Sequence, residues 1–228
     1  MSLSFHFHGH GTYTVNVDGV KLLIDPFFTH NPVADVSAEK VEADYILVTH
    51  GHFDHVGDLV AVAKRLGVLV ICNVEIAGWL GRQGVEKTHA QHIGGGYRHP
   101  FGYLKLTVAH HGSGLPDGSY GGNPAGFLLR TDRYRLYLAG DTALYSDMQM
   151  LAEENLDLAV LPIGDNFTMG PEDALRAAMW VKARHYIPVH YGTWPPIAQD
   201  GPAWCQQVEA KTGAKAHCLR SGETWTLA

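Results

Sequence analysis

Thr49-His50-Gly51-His52-Phe53-Asp54-His55 places three imidazoles and one carboxylate within six consecutive positions. The apolar stretch before it, Tyr45-Ile46-Leu47-Val48, reads as a buried strand, and Val56-Gly57-Asp58-Leu59-Val60 after it reads as the start of a helix. A strand end that delivers side chains into a loop suits a metal ion: the strand fixes the backbone while the loop lets ligands converge. Imidazole nitrogens and carboxylate oxygens suit zinc, and also manganese or iron. A single histidine here would be an ordinary polar loop residue; His-x-His-x-Asp-His points to a metal.

Three further stations repeat the plan. Leu106-Thr107-Val108-Ala109 leads into His110-His111-Gly112-Ser113, Leu136-Tyr137-Leu138-Ala139 into Gly140-Asp141-Thr142, and Tyr186-Ile187-Pro188-Val189 into His190-Tyr191-Gly192. On an extended backbone His110 and His111 point to opposite sides, so only one is expected to ligate. Asp141 also reads as a helix N-cap before Ala143–Leu151, but its place after a buried strand favours a ligand. His10 in Gly9-His10-Gly11 and Asp25 in Ile24-Asp25-Pro26-Phe27 sit at strand ends too. Turn chemistry accounts for either, as does a role in the pocket.

Taken in order, these stations resemble the signature of the metallo-β-lactamase superfamily. Gly9-His10, the hairpin after it and Ile24-Asp25-Pro26-Phe27 resemble one branch, small metal-dependent hydrolases related to a sugar-phosphate lactonase. The resemblance spans most of the chain. It implies an α/β fold, a four-layer αββα sandwich of two mixed sheets packed face to face with helices outside. It also implies two divalent metal ions, Zn2+ first, with Mn2+, Fe2+ or Ni2+ as alternatives. His50, His52 and His111 would hold one ion; Asp54, His55 and His190 the other, with Asp141 bridging. The family pattern puts Gly or Ser directly after the ligand, which favours His111 over His110. Two such ions share a water and lower its pKa from about 15.7 toward 7. The implied activity is attack by this bridging hydroxide on a small ester, lactone or phosphorylated metabolite. Asp54 is the expected proton carrier, and His10 and Asp25 are expected to orient ligands or substrate. Redox-active di-iron relatives carry an acid in place of a histidine of the first run; here that run is intact, which favours hydrolysis.

At 228 residues and 46% hydrophobic content the chain can bury a sizeable core and is expected to be one domain, 1–228. A formal net charge of −6 with no long Lys/Arg run argues against binding nucleic acid through a broad basic face. A small molecule is the expected partner. Arg65, Arg82, Arg98, Arg130, Arg176 and Lys182 are either phosphate handles or solvated charges. Tyr120, Tyr191 and Trp194 are candidates for a pocket wall. The three cysteines are odd in number and widely spaced, which reads as spare thiols in a reducing compartment. Neither a signal-peptide pattern at Met1–His6 nor a long apolar run is present, so no membrane segment and a cytoplasmic location are expected. Trp194, Trp204 and Trp225 suggest an interface in a homo-oligomer, or packing within one chain. A phosphodiesterase or nuclease of the same plan, and a non-catalytic metal-binding protein, are the competing functions.

The element pattern completes the reading. Residues 3–8 alternate, and Asp18-Gly19 marks a hairpin between 12–17 and 20–24. Helical spacing runs from Val56 to Leu66 and stops at Gly67. Val68–Ile71 reads as a strand buried on both faces, and Glu75–Leu80 as a short helix broken at Gly81. His89, His92 and His99 surround Gly94-Gly95-Gly96, where a flexible connection is expected. A second hairpin spans 125–139. Helices are expected over Pro171–Ala183 and Pro202–Thr212, and strands over 158–161, 216–219 and 224–227. Loop 112–124 is expected to border the pocket, and loop 162–170 either lines it or is a plain loop. The order strand, hairpin, strand, ligand occurs twice, so two similar halves are expected to face one another.

Overall fold

Leu3, Phe5 and Phe7 alternate with Ser4 and His6, and this period of two sets the first strand. In the computed structural model, which describes residues 2–227, it is β1 (Leu3–Gly9), with those three side chains buried. β2 (Thr12–Val17) and β3 (Val20–Ile24) turn back on it through Asp18-Gly19, both at positive φ (52° and 96°), which gives the twist a tight hairpin needs. β4 (Tyr45–Leu47), β5 (Leu69–Asn73) and β6 (Thr88–Gln91) follow in parallel, and β14 (Thr224–Leu227) pairs with β1 at the other edge. The sheet order is β14-β1-β2-β3-β4-β5-β6.

The second sheet has the same plan. It consists of β7 (Gly96–His99), β8 (Gly102–Val108), β9 (Ala125–Arg130), β10 (Arg135–Leu138), β11 (Leu158–Pro162), β12 (His185–Val189) and β13 (Lys215–Ala216). Their order is β13-β12-β11-β10-β9-β8-β7. Phe5, Tyr13 and Val15 from one sheet and Leu104, Phe127, Leu129 and Val160 from the other fill the space between them. In β4 the pleat divides neighbours: Leu47 joins this inner core, while Ile46 faces outward. There it meets α2 (Leu59–Leu66) and α3 (Val74–Arg82), which cover the first sheet with Val62, Ile76 and Leu80. α4 (Pro171–Val181) and α5 (Gly201–Thr212) cover the second with Ala174, Ala178, Trp204 and Val208. The result is the expected four-layer αββα sandwich.

Several elements differ from the sequence reading. The helical pattern from Val56 is broken: α1 (Phe53–Val56) ends before Gly57-Asp58, and α2 starts after it. Asp58 is committed elsewhere, accepting from Phe28 N at 2.6 Å, Thr29 N at 2.9 Å and Thr29 Oγ1 at 2.5 Å. α3 runs through Gly81 to Arg82: Asn73 caps its start by accepting from Ile76 N, and its two glycines, Gly78 and Gly81, cost only about 1 kcal/mol each. The Gly94–Gly96 region is no loose connection. It carries β6 on one sheet and β7 on the other, held by Gly94 N to Leu106 O and by packed rings of His89, Tyr97, His99 and Phe101. Ser146–Glu154 is 3-10 helix, not α-helix. Trp204 of α5 is buried against α4 and the second sheet, and Trp225 packs on His185 and His217, so packing within the chain accounts for both. No helix among the described residues is long and apolar enough to cross a membrane.

Phe127 sits at the centre of the inner core. Its replacement by Ala should lower unfolding free energy by about 3–5 kcal/mol in a urea titration. Met150→Ala, on an exposed surface, should change it by less than about 0.5 kcal/mol.

Candidate metal centre

Six strand ends converge at one edge of the sandwich. β1 delivers His10, β3 Asp25, β4 the run from Thr49 to His55, β8 His111, β10 Asp141 and β12 His190. His10 (φ 59°), Asp25 (φ 49°) and His190 (φ 56°) are left-handed, and Gly140 (φ 63°) precedes Asp141. Each turns the chain sharply off its strand, a conformation that side chains other than glycine adopt only at a cost. These turns aim the side chains at the centre.

Two groups form. His50 Nε2 lies 3.0 Å and His111 Nε2 3.2 Å from His52 Nδ1. Nearby, Asp54 Oδ2 lies 3.8 Å from His55 Nε2 and 3.5 Å from His190 Nε2. Asp141 Oδ2 faces both groups, at 3.6 Å from His111 Nε2, 3.3 Å from His55 Nε2 and 3.0 Å from His190 Nε2. All seven expected ligands are therefore together. His110 is not: its backbone N–H donates to Thr142 Oγ1 and its ring packs on Tyr145, as expected for the histidine that points away.

The residues beneath orient these ligands. Asp25 accepts from Thr49 N (2.8 Å) and Thr49 Oγ1 (2.6 Å), and lies 2.8 Å from His55 Nδ1. With its proton given to Asp25, Thr49 Oγ1 accepts from His50 Nδ1 at 2.9 Å. Both arrangements put the ring proton on Nδ1 and turn the Nε2 lone pair to the centre. His10 bridges Thr193 Oγ1 (2.8 Å) and Asp54 Oδ2 (3.0 Å). His10 and Asp25 are wholly buried and do not line the cavity; they touch the ligands.

This donor set fits a cation. His55 Nε2 and His190 Nε2 are buried without a hydrogen-bond partner: Asp141 is close but misaligned. Such orphaned nitrogens are costly unless something else fills their lone pairs. The charges agree. Burial would raise the Asp141 and Asp54 carboxyls, but His190 and His55 around the first, and His55 and His10 around the second, hold both well below the usual range. Burial would also lower His190 and His55, yet Asp141 and its neighbours push His190 up to about 9 and His55 well upward. Elsewhere burial wins: it holds His50 well below its ordinary value, and with His190 alongside it brings His10 down to about 4 in spite of the bond to Asp54.

Above the ligands opens a cavity of about 460 Å³. His52, Asp54, His111, Asp141 and His190 form its floor, and Phe53, Phe167, Trp194 and Pro196 its walls. Loop 162–170 thus reaches the pocket through Phe167. Loop 112–124 supplies no wall; Ser113 instead accepts from Gly51 N and donates to Gly121 O, fixing the ligand loop from below. Trp194 is a wall as expected, whereas Tyr191 faces Cys218 and Tyr120 bonds Asn123. Sequence reasoning missed Thr49 and Thr193 as supports and Phe53, Phe167 and Pro196 as walls. Thr49, next to the His-rich run, and Phe167, within a loop read as a candidate pocket border, were the ones that carried a signal.

A sandwich of this topology with a His/Asp cluster at its strand ends fits a metal-dependent hydrolase. The model of the beta-lactamase superfamily domain matches residues 18–191. A UPF0173 metal-dependent hydrolase of Shouchella clausii is 48% identical over 227 residues, covering 97% of this chain and 98% of that protein. One from Bacillus cereus strain ATCC 10987 is similar to the same extent. Among solved structures, the metallo hydrolase Igni18 from the archaeon Ignicoccus hospitalis superposes with a TM-score of 0.90 at 32% identity, over 100% of this chain and 99% of its own. The isothiocyanate hydrolase from Delia radicum gut bacteria shares the fold, with a TM-score of 0.77 at 20% identity over 99% of each chain. The chain belongs to the metallo-β-lactamase superfamily.

Asp25→Asn keeps the shape beneath His55 but weakens the acceptor that orients it. Metal affinity, measured by competition with a chromogenic chelator, should fall about 10–100-fold. Unchanged affinity would mean that Asp25 only pins Thr49.

Proposed function

We propose that this protein hydrolyses small esters at a centre of two divalent metal ions. His50, His52 and His111 would hold one ion and Asp54, His55 and His190 the other, with Asp141 available to both. The observation that supports this most is Asp141 Oδ2, which faces nitrogens of both groups, two of them orphaned. The histidine-rich donor set suits Zn2+, and also Mn2+, Fe2+ or Ni2+. Bound there, such ions would supply Lewis acidity and a water acidified toward neutral pH.

The chain's own groups do the rest. The floor of the cavity sets the reacting carbonyl within reach of Asp54 and Asp141. Asp54, held by His10 and partly open to the cavity, takes the proton from the attacking water and returns it to the leaving alcohol. Asp25 and His10 are positioning residues, acting through His55 and Asp54. The aromatic walls exclude bulk water and strengthen each polar contact inside. Cys72, Cys205 and Cys218 are unpaired thiols, which suits action in a reducing cytoplasm on a small-molecule substrate.

Protein purified without chelator should carry about two equivalents of metal by elemental analysis. Asp141→Ala should lose metal from both positions and, with it, at least about 10³-fold in esterase kcat/KM. Full activity in metal-free protein would overturn the proposal.

A further inference from the structure

We infer that the chain has a further divalent-cation site, built from His6, His8 and Asp35 on the outer face of the first sheet, which takes Zn2+. None of the three belongs to the candidate centre at the strand ends, and the site stands whether or not that centre is catalytic.

β1 alternates, so with Phe5 and Phe7 in the inner core His6 and His8 project from the opposite face. Asp35 reaches them from residues 25–44, which carry neither helix nor strand. Its Oδ2 lies 2.7 Å from His6 Nε2 and its Oδ1 2.8 Å from His8 Nδ1. The ring centroids of the two histidines are 4.6 Å apart, and His8 is held edge-on against Phe28 at 5.5 Å. One nitrogen from each ring and one carboxylate oxygen lie within 4.8 Å of one another. Around a tetrahedral zinc ion, bonds of about 2.0–2.2 Å set ligand atoms about 3.3 Å apart. The contacts to Asp35 need open by only about 0.6 Å to reach that spacing, a small turn of one loop carboxylate.

The outward nitrogens complete the site. His6 Nδ1 lies 2.7 Å from Thr224 Oγ1, and His8 Nε2 lies 2.8 Å from Thr14 Oγ1. Strand register puts these hydroxyls there, since His6 stands opposite Thr224 of β14 and Thr14 of β2. A hydroxyl can donate or accept. Without a cation, each ring donates to Asp35 and accepts from its threonine. With one, the ring proton sits on the outward nitrogen, the threonine accepts it, and the lone pair turns to the ion. Imidazole ligands are ordinarily oriented this way. Two imidazoles and a carboxylate suit a borderline cation, Zn2+ above all. A cavity of about 280 Å³ opens beside them and leaves room for water as a fourth ligand. Its two lysines, Lys21 and Lys40, are matched by two acids, Asp35 and Glu42, and Lys21 pairs with Glu42 at 2.6 Å. An ion here would tie the loop between β3 and β4 to β1 without adding a ligand to the strand-end centre.

The probe is Zn2+ itself, added to the full chain and counted by competition with a chromogenic chelator. One equivalent should bind beyond those at the strand ends, and more weakly, because the His6 side chain is 31% exposed and its ion is open to exchange. This equivalent is expected to wash out during purification and to return on addition of Zn2+. His6→Gln and Asp35→Asn, which keep the shape, should each lose it and retain the others, with circular dichroism unchanged. Thr224→Ala should weaken it about tenfold, an effect that a hydrogen-bonded network without an ion would not show. Asp141→Ala should empty the strand-end centre yet keep the outer equivalent. Added Zn2+ should still raise the unfolding midpoint of that variant, and adding His6→Gln should abolish the rise. Equal zinc counts in wild type, His6→Gln and Asp35→Asn would overturn the inference and leave the three residues as a hydrogen-bonded cluster. Loss of one equivalent in those two variants, with the count of Asp141→Ala equal to wild type, would overturn the dinuclear reading and uphold this site.

Discussion

The hydroxyl of Thr49 is the point on which the centre hangs. It donates to Asp25 and accepts from His50, while its backbone N–H also goes to Asp25 and its carbonyl accepts from Ala125 N of the opposite sheet. One residue thus fixes the end of β4, orients a histidine of the first group, and ties the two sheets together. Through Asp25 it also reaches His55 of the second group. A buried network of this kind is valuable only when complete, because each unpaired member carries its full desolvation cost.

A second tie lies on the other side of the centre. His190 N donates to His10 O, and the two rings pack at 4.0 Å. The ligands therefore come from both sheets but are held relative to one another by backbone bonds that cross between them. This explains how loops as flexible in composition as Gly9–Gly11 and Gly112–Gly114 can hold side chains accurately. The sheets set the frame, and hydrogen bonds such as Gly51 N to Ser113 pin the loops to it.

The residues that converge on the candidate centre were legible in the sequence because each follows a strand whose apolar run is unmistakable, and the hairpin at Asp18-Gly19 because its turn chemistry is local. The sandwich followed from the resemblance those residues carry. β6 and β7 were not legible: Thr88–Gln91 and Gly96–His99 show no apolar alternation, and what orders them is ring packing among His89, Tyr97 and His99. Most of the cavity walls were hidden for a different reason. Phe53, Phe167 and Pro196 lie far apart in the chain, and nothing local marks such a residue as a wall instead of core. The same holds for the bond between His10 and Thr193, which joins residues at opposite ends of the sequence.

His10, Asp25 and His190 all sit in the left-handed region, where a residue with a side chain costs on the order of 1–3 kcal/mol that the surrounding fold must absorb. A glycine at any of the three would relax the backbone and remove the group that the turn exists to aim. Selection for thermal tolerance alone would therefore press on the same positions that selection for turnover defends. The strand ends are where this protein's robustness and its chemistry pull in opposite directions.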